Sequence, residues 1–487
     1  MAMTSLKSRL PALIALLLLG ACAADGGAGR GAVAAGAKLA DAGAAAEDAL
    51  PPKDPYPSRY RPAAHAPFAI RNVTIWDGRG HEWKNGAILV RDHRIVAVGP
   101  ESEVAIPEGV EVIDGAGGHV TPGIIDVHSH LGVYPSPSLQ ATSDGNEITD
   151  PNTAEVWAEH SVWPQDPGFI RALAGGVTTL QILPGSANLF GGRSVVLKNV
   201  RARTVQEMKF PGAPYGLKMA CGENPKRLYG SKGRKPSTRM GNFAGYRTAW
   251  IAAQDYRRQW AEYLKKREKG ERAKPPKRDL ELETLAGVLD GEILVHMHCY
   301  RADEMAQVLD MAREFGYRVS TFHHAVEAYK IADLLAENGV CAAMWADWWG
   351  FKLEAYDGIR ENVPFVHKAG GCAIVHSDSA VGIQRLNQEA AKAWADGRRA
   401  GVDIPKAEAW VWLSYNPARS LGIADVTGSL EPGKAADLVL WNGDPFSVYT
   451  KAVQVYIDGV KQWDLLDPAF QPVSDFELGQ PGEGDAK

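Results

Sequence analysis

The sequence predicts an α/β protein: a TIM-like (β/α)8 barrel joined to a small β-sandwich domain that both terminal segments build. Two observations carry this prediction. In the middle of the chain, short apolar runs alternate with helical stretches, a pattern that favours a parallel sheet closed into a barrel. Before and after it, runs of alternating apolar and polar residues are separated by Asp-Gly, Asn-Gly and Gly-Pro turns, which is typical of antiparallel strands.

The terminal segments are expected to share one domain, from residues 67–120 and 424–465. Their predicted strands all alternate apolar and polar residues, so one face of each strand can be buried. These strands are expected at residues 68–77, 86–91, 94–98, 110–113, 428–441 and 453–458.

The predicted barrel spans residues 121–423. A charged run over 257–278 predicts a solvated helix or an insertion. Barrel helices are expected at 302–315, 325–338 and 384–395. After the first strand, at 124–127, barrel strands are expected at 177–183, 217–221, 293–299, 318–323, 340–346 and 373–376. Chemistry in such barrels lies at the C-terminal ends of the strands.

Residues 1–22 predict export. Lys7 and Arg9 precede an apolar stretch that is too short to span a bilayer. Leu19-Gly-Ala-Cys22 resembles a bacterial lipobox, which predicts lipidation of Cys22 and a periplasmic or outer-membrane-anchored protein of a Gram-negative bacterium. A plain cleaved signal peptide is the alternative. A disordered tether at 23–66 and a tail at 466–487 complete the predicted organisation.

Charge and cysteine content limit the function classes. The net charge of −5 gives no argument for nucleic-acid binding. Composition does not indicate an oligomeric state. The four cysteines after Cys22 lie in apolar contexts without paired spacing and are interpreted as mostly free buried thiols; a metal role for Cys221 or Cys299 is the less favoured alternative. These residues are Cys221, Cys299, Cys341 and Cys372.

A pair of histidines ends the first apolar run of the barrel. In Thr121-Pro-Gly-Ile-Ile-Asp-Val-His-Ser-His130, His128 and His130 lie two residues apart on a predicted strand, so their side chains share one face. Imidazole is the commonest side-chain ligand for zinc and similar ions. The pair therefore predicts a metal site, although two histidines alone would fit a polar strand tip equally well.

Later strand ends repeat this chemistry. Seven of the 13 histidines lie at four predicted strand ends, which is typical of an active site. The run Lys218-Met-Ala-Cys-Gly-Glu223 adds a lysine and a carboxylate. His323 and His324 would point to opposite faces of an extended strand, so only one is expected to bind a metal. The remaining strand-end residues are His296, His298, His376 and Asp378.

These motifs resemble the amidohydrolase superfamily of metal-dependent hydrolases over roughly residues 68–465. The resemblance rests on the Pro-Gly-x-x-Asp-x-His-x-His start, on Gly175-Gly-Val-Thr-Thr179, and on Asn416-Pro-Ala-Arg-Ser-Leu-Gly-Ile423. It is strongest to the imidazolonepropionase-like branch and to exported bacterial proteins that carry Gly-Glu-Asn-Pro-Lys-Arg, found here at 222–227. The motifs are specific for the fold but give almost no information about the substrate.

The resemblance implies a set of metal ligands. His128 and His130 match the pair that binds the more buried metal, and Asp378 matches an aspartate that is both ligand and proton shuttle. A carboxylate or a carboxylated lysine is expected to bridge two metals. Glu223 is preferred as this bridge because it is charged without modification, and Lys218 is its rival.

Two further histidines should complete the second metal site. By register these are His296 and His324, with His298 and His323 as the alternatives. Trp345, in a tryptophan-rich segment, is expected either to wall an aromatic or cyclic substrate subsite or to pack at the rim. Residues expected to contact a substrate carboxylate or oxyanion are His298, Tyr300, Arg301, Arg227 and His376.

The implied function is hydrolysis of a C–N bond in a small amide, peptide, dipeptide-like molecule or cyclic amide. One or two divalent ions, expected to be zinc, would lower the pKa of bound water and supply hydroxide, while Asp378 takes up the proton. No nucleic-acid partner is expected, and the protein is expected to contact a membrane only through its lipid anchor. One alternative is a deaminase of the same fold with a single metal; another is a non-catalytic surface binding lipoprotein.

Overall fold

The structure, a computed structural model, describes residues 52–470 of the 487-residue chain. The predicted signal peptide, the first part of the tether and most of the tail lie outside the described residues. Two eight-stranded sheets organise the described part, one a nearly closed barrel and the other a separate sheet. The predicted fold class is therefore confirmed. Within residues 52–470, no helix is long and apolar enough to cross a membrane.

The separate sheet is built from both ends of the chain, as predicted. Its strands are β1 (Phe68–Trp76), β2 (Glu82–Arg91), β3 (Arg94–Pro100), β4 (Glu111–Asp114), β5 (His119–Pro122), β14 (Leu438–Trp441), β15 (Ala452–Ile457) and β16 (Val460–Asp464). The path runs β3-β2-β1-β5-β14-β15-β16, and β4 pairs with β1. Strands β5 and β14 pair antiparallel, with Val120 opposite Leu440, so this contact joins the two terminal segments.

The barrel lies between these segments in the sequence. Its strands are β6 (Ile124–Ser129), β7 (Val177–Ile182), β8 (Phe190–Lys198), β9 (Gly216–Ala220), β10 (Leu294–Cys299), β11 (Val319–His324), β12 (Cys341–Met344) and β13 (Cys372–Val375). They are neighbours in chain order from β6 to β13. All adjacent pairs are parallel except the two that involve β8.

Strand β8, which was not predicted from the sequence, runs antiparallel to both of its neighbours. Only residues 183–189 separate β7 from β8. A connection of this length can join antiparallel strands, whereas a parallel pair needs a crossover of a dozen or more residues. The barrel is therefore not the all-parallel sheet that the alternating pattern predicted.

Helices cover the barrel strands. They are α1 (Pro167–Ala174), α2 (Val205–Met208), α3 (Glu223–Gly230), α4 (Arg239–Glu268), α5 (Leu280–Leu289), α6 (Ala302–Phe315), α7 (Ala332–Glu337), α8 (Asn362–Lys368), α9 (Leu386–Arg399), α10 (Lys406–Ala409) and α11 (Tyr415–Ser420). The predicted helix at 302–315 coincides with α6. The charged run at 257–278 begins inside the 30-residue helix α4 and extends beyond its end.

The last part of the predicted tether makes defined contacts with the folded domain. Lys209 Nζ lies 2.9 Å from Asp54 Oδ1, and Tyr60 donates a hydrogen bond of 2.8 Å from its hydroxyl to Asp458 Oδ2. Both Lys209 and Tyr60 are buried. The prediction of disorder over residues 23–66 therefore does not hold for this part, because its polar groups complete buried hydrogen bonds.

Four cysteines form two disulfides, which corrects the interpretation of free thiols. Cys221 pairs with Cys299 between neighbouring strands β9 and β10. Cys341 pairs with Cys372 at the starts of neighbouring strands β12 and β13. The spacing of the cysteines in the sequence did not predict this pairing. The two cysteines of each disulfide come close together only when the parallel strands lie side by side.

We expect that replacing both Cys341 and Cys372 with alanine lowers stability by about 2–4 kcal/mol, because the disulfide restricts the unfolded chain. The pair lies at the strand ends opposite the histidines, so metal content should not change. Chemical unfolding under non-reducing conditions measures the effect. A reductant should destabilise the wild type more than the variant, which retains only the other disulfide. Alkylation of all four cysteines in unreduced, unfolded protein would contradict the pairing.

Candidate metal centre

Three side chains converge at the end of β6. His128 Nε2 lies 3.3 Å from His130 Nε2, and Asp378 Oδ1 lies 3.5 Å from the first nitrogen and 3.3 Å from the second. His128 is fully buried, whereas the side chains of His130 and Asp378 are 19% and 25% exposed. Two imidazoles and a carboxylate at this spacing are a donor set that a divalent ion accepts.

The position of Asp378 depends on how the barrel closes. Asp126, inside β6, accepts hydrogen bonds from the backbone N–H groups of His128 at 3.1 Å and Ser377 at 3.2 Å. The Ser377 hydroxyl also donates to Asp126. The next residue, Asp378, donates its own N–H to the His128 carbonyl at 3.1 Å. These bonds join the segment after β13 to β6 and hold the Asp378 carboxylate beside the histidine pair.

His323 and His324 both turn their rings toward this cluster. The ring centroids of His323 and His324 lie 4.8 Å and 4.6 Å from that of His128. The prediction that only one of them binds a metal rested on an extended strand, in which the two rings would point to opposite faces. However, His324 has φ of 70°, in the left-handed region. This conformation rotates the second ring inward. Non-glycine residues held in this way are common at functional sites.

The two histidines of β10 lie at different depths. His298 is buried and its ring centroid is 4.6 Å from that of His324; neither of its ring nitrogens has a hydrogen-bond partner among residues 52–470. His296 Nδ1 instead lies 3.0 Å from His323 Nε2. A Cβ on Gly216 would come within 2.7 Å of His296 Cδ2, so glycine at the start of β9 makes room for that ring.

Lys218 and Glu223, the rival bridging residues, occupy different places. Lys218 is 1% exposed, and its Nζ donates to the Pro184 carbonyl at 3.0 Å. Burial lowers the pKa of its ammonium to about 7, against a smaller opposing effect from Asp378. Glu223 lies outside the histidine cluster, where its carboxylate is 3.5 Å from Lys352 Nζ.

Within the described chain, donor groups spaced to hold a metal share the buried His128. One group contains His128, His130 and Asp378, and the other contains His128, His324 and His376. His296, His298 and Glu223 are in neither group.

The predicted substrate contacts divide into buried and exposed residues. Tyr300 is 5% exposed and stacks on His324 with ring centroids 5.4 Å apart. His376 is buried, and its Nε2 accepts the backbone N–H of His324 at 3.2 Å. Arg301 instead pairs with Asp303 at 2.9 Å on the surface. Arg227 is also exposed. The buried pair contacts the cluster directly, and the arginines do not.

An aromatic stack leads outward from His324. Trp345 lies 4.3 Å from the His324 ring and donates from Nε1 to the Ser377 carbonyl at 3.2 Å. Trp348, 40% exposed, stacks on Trp345 at 5.4 Å. The predicted tryptophan wall therefore contacts both the cluster and solvent.

Burial sets the charge state of the cluster. It lowers the pKa of the imidazoles well below their usual range, so these rings are neutral near pH 7 with lone pairs available for a metal. Burial acts to raise the pKa of Asp378, but the hydrogen bond and charge of His130 outweigh it and the net pKa is lowered. The rings with these strongly lowered pKa values are those of His128, His298, His323 and His324. Burial also lowers the pKa of His296 to about 3 and that of His376 to about 4.

Three contributors to the site were not predicted from the sequence. Asp126 was quoted within a motif but given no role, although a buried carboxylate inside an apolar strand signals a specific partner. Ser377, between His376 and Asp378, was not considered. The Leu183 carbonyl, 2.8 Å from His130 Nδ1, orients that ring and carries no side-chain signal at all.

The sequence matches a known family over most of its length. Residues 119–474 match the sequence profile of the Amidohydrolase family. Amidohydrolase tasK of Hapsidospora irregularis is 33% identical over 440 residues, covering 83% of this chain, which spans 44% of the length of that protein. An imidazolonepropionase of Rhizobium rhizogenes is 23% identical over 408 residues, covering 74% of this chain and 88% of the relative.

A solved structure is similar over the same region. The crystal structure of an amidohydrolase from Thermotoga maritima MSB8 has 35% sequence identity and a TM-score of 0.74, and the match covers 82% of this chain and 100% of that one. The family profile and this structure agree on the fold. The chain belongs to the amidohydrolase family.

Proposed function

We propose that this protein hydrolyses a C–N bond in a small amide, peptide or cyclic amide, and that it depends on a divalent metal, which we take to be zinc. The observation that carries the proposal is the convergence of His128 Nε2, His130 Nε2 and Asp378 Oδ1 within 3.5 Å of one another. Buried histidines surround this group, and one side of it remains open to solvent through Asp378.

The residues present fit a divalent ion. Buried ring nitrogens of four histidines at the site lack hydrogen-bond partners within the described part of the chain, and such orphaned groups are costly unless a ligand completes them. They belong to His296, His298, His324 and His376. His128, His130 and Asp378 would hold one ion, and His298 and His324 are our candidates for a second. A bound divalent ion would polarise a carbonyl and lower the pKa of a water molecule toward neutrality.

Asp378 is the catalytic residue in this proposal. Its lowered pKa keeps the carboxylate ionised near neutral pH, so it can accept a proton from an attacking water. It can then return that proton to the leaving nitrogen, which would otherwise depart as an unstable anion. Tyr300, buried beside His324, is placed to contact the substrate.

We propose Lys218, rather than Glu223, as the bridging group. Its lowered pKa leaves much of the amine unprotonated near pH 7. The amine nitrogen can attack carbon dioxide and lose a proton, which gives a negatively charged carbamate. Glu223 instead compensates the charge of Lys352. The modified lysine would supply the anion that the resemblance leads us to expect between two ions.

Export is also part of the proposal. The charged and apolar segments before Cys22 have the order of a lipoprotein signal. Two disulfides among residues 52–470 support an oxidising compartment, such as the periplasm.

The proposal is tested by metal analysis of the purified protein and by a substrate panel. The panel contains dipeptides, N-acyl amino acids and cyclic amides, with 4-imidazolone-5-propionate included because of the imidazolonepropionase relative. Adenosine reports on deamination, in which ammonia is released. We expect bound zinc and turnover of an amide without ammonia release from amino-substituted rings. Metal-free protein that turns over nothing after zinc addition would contradict the proposal.

Lys218→Gln should reduce metal to about one ion per chain or fewer, because the bridging anion is lost. Glu223→Gln is the matched control and should keep the wild-type metal content. Metal analysis measures both, and 13C-labelled bicarbonate should give a carbamate signal in the wild type and in Glu223→Gln only. If Glu223→Gln loses metal and Lys218→Gln does not, the glutamate is the bridge.

Asp378→Asn should keep folded protein but lower kcat by about 100-fold or more, because the amide cannot carry the proton. Steady-state kinetics on the substrate found in the panel measures this, with KM as the internal control. A kcat within a factor of about three of wild type would remove Asp378 from the proton-transfer role.

Cys22→Ser should release the protein from membranes, because the thiol that accepts the lipid is gone. Ala24→Ser, two residues away, should leave the protein membrane-bound. Fractionation and mass spectrometry of the mature N-terminus measure the outcome. Unchanged fractionation of Cys22→Ser, with a mature N-terminus elsewhere, would show that the segment is not a lipoprotein signal.

A further inference from the structure

Three buried histidines form a continuous chain beneath the proposed metal centre. His128 Nδ1 lies 2.9 Å from His323 Nδ1, and His323 Nε2 lies 3.0 Å from His296 Nδ1. All three residues are 0% exposed. A metal-binding histidine usually donates its second N–H to a carboxylate, a carbonyl or water. His130 follows that rule with the Leu183 carbonyl, whereas His128 contacts another imidazole.

Proton counting restricts this chain to two arrangements. A neutral imidazole carries one N–H, and each contact needs one N–H and one lone pair. If His128 donates from Nδ1, His323 must accept there and donate from Nε2 to His296. If His296 donates from Nδ1, the direction reverses and His128 carries its hydrogen on Nε2. A charged His323 could donate to both neighbours, but a buried imidazolium with no adjacent carboxylate is costly.

The surroundings of His128 Nε2 select between these arrangements. Without a cation, an N–H at this atom can donate to Asp378 Oδ1, 3.5 Å away, or to His130 Nε2, 3.3 Å away. A cation needs the lone pair of the same nitrogen. Cation binding therefore requires hydrogen on His128 Nδ1, which in turn fixes the tautomers of His323 and His296.

We propose that His128, His323 and His296 form one tautomer-coupled chain whose direction is set when a divalent cation binds, with His323 as the positioning residue. This rests on the proposed metal dependence. His296 is then the end of the chain and not a metal ligand, because its Nδ1 accepts from His323 and its Nε2 carries the hydrogen. Within residues 52–470, both ring nitrogens of His298 lack a partner, whereas His296 lacks one only at Nε2, the atom where the chain places its hydrogen. His298 therefore takes the ligand role.

Histidine 15N NMR on the wild-type protein, with and without Zn²⁺, tests the chain directly. In the zinc-loaded protein we expect N–H signals from His128 Nδ1, His323 Nε2 and His296 Nε2. In the apo protein the same three residues should show the opposite tautomers. A zinc-shifted nitrogen on His296, or tautomers of His323 and His296 that do not change with zinc, would overturn the proposal.

Variants test the same chain through affinity. His323→Phe removes the acceptor for His128 and should weaken Zn²⁺ binding by about 10–100-fold. His323→Asn keeps an acceptor oxygen and should fall between that variant and wild type. Chelator competition measures the dissociation constants, and circular dichroism reports folding.

Two matched variants on strand β10 distinguish a member of the histidine chain from a metal ligand. His296→Gln should keep the wild-type zinc stoichiometry, whereas His298→Gln, two residues further along β10, should lose one ion. Loss of an ion in His296→Gln alone would overturn the chain but leave the proposed metal dependence intact. Failure of wild-type protein to bind Zn²⁺ at all would overturn both.

Discussion

The site depends on the hydrogen bonds that the buried carboxylate of Asp126 accepts between the first and last barrel strands. Removing a carboxylate from water is unfavourable, and burial raises the pKa of Asp126 to about 7. Two backbone N–H groups and the Ser377 hydroxyl offset this cost. Because the same bonds fix the segment after β13, they also place Asp378 opposite His128 and His130. One buried acid thus determines both barrel closure and the geometry of the donor group.

Left-handed backbone conformations at the strand ends increase the number of side chains that point into the site. His324 and Asp378 have φ of 70° and 50°, a region that residues with a Cβ seldom occupy. An extended strand presents alternate residues to one face, so a regular barrel would offer fewer donors. Left-handed turns at the ends of β11 and β13 break that alternation and turn additional groups inward. The structure around them, including the Asp126 contacts, maintains a conformation that would not persist alone.

Sequence periodicity was sufficient to predict the composite sheet, the barrel and the strand ends that carry histidine, because burial imposes regular spacing. The Pro-Gly and Gly-Gly-Val-Thr-Thr motifs also have a structural reason: a Cβ on Gly123 would lie 2.0 Å from Thr178 Oγ1, so the two motifs fit together. Strand β8 was missed because Gly191, Gly192 and Arg193 interrupt its apolar run. Its antiparallel direction would not have been visible in any case, because strand direction leaves no trace in an apolar run. Disulfide partners, left-handed residues and the separation of Lys218 from Glu223 depend on distances that only the folded chain defines.

Charge balance explains why a buried lysine belongs in such a centre. The cluster consists mainly of neutral imidazoles, and Asp378 is the one carboxylate in the donor groups of the described chain. Each divalent ion brings two positive charges, which one carboxylate cannot neutralise in a poorly solvated interior. An ammonium on Lys218 would increase this imbalance, whereas a carbamate would reverse the sign at the same atom. Glu223 cannot serve both purposes, because removing it from Lys352 would leave that half-buried cation without its 3.5 Å partner. A carbamate on Lys218, the bridge proposed above, would therefore supply the second anion from a side chain that is already buried at the site.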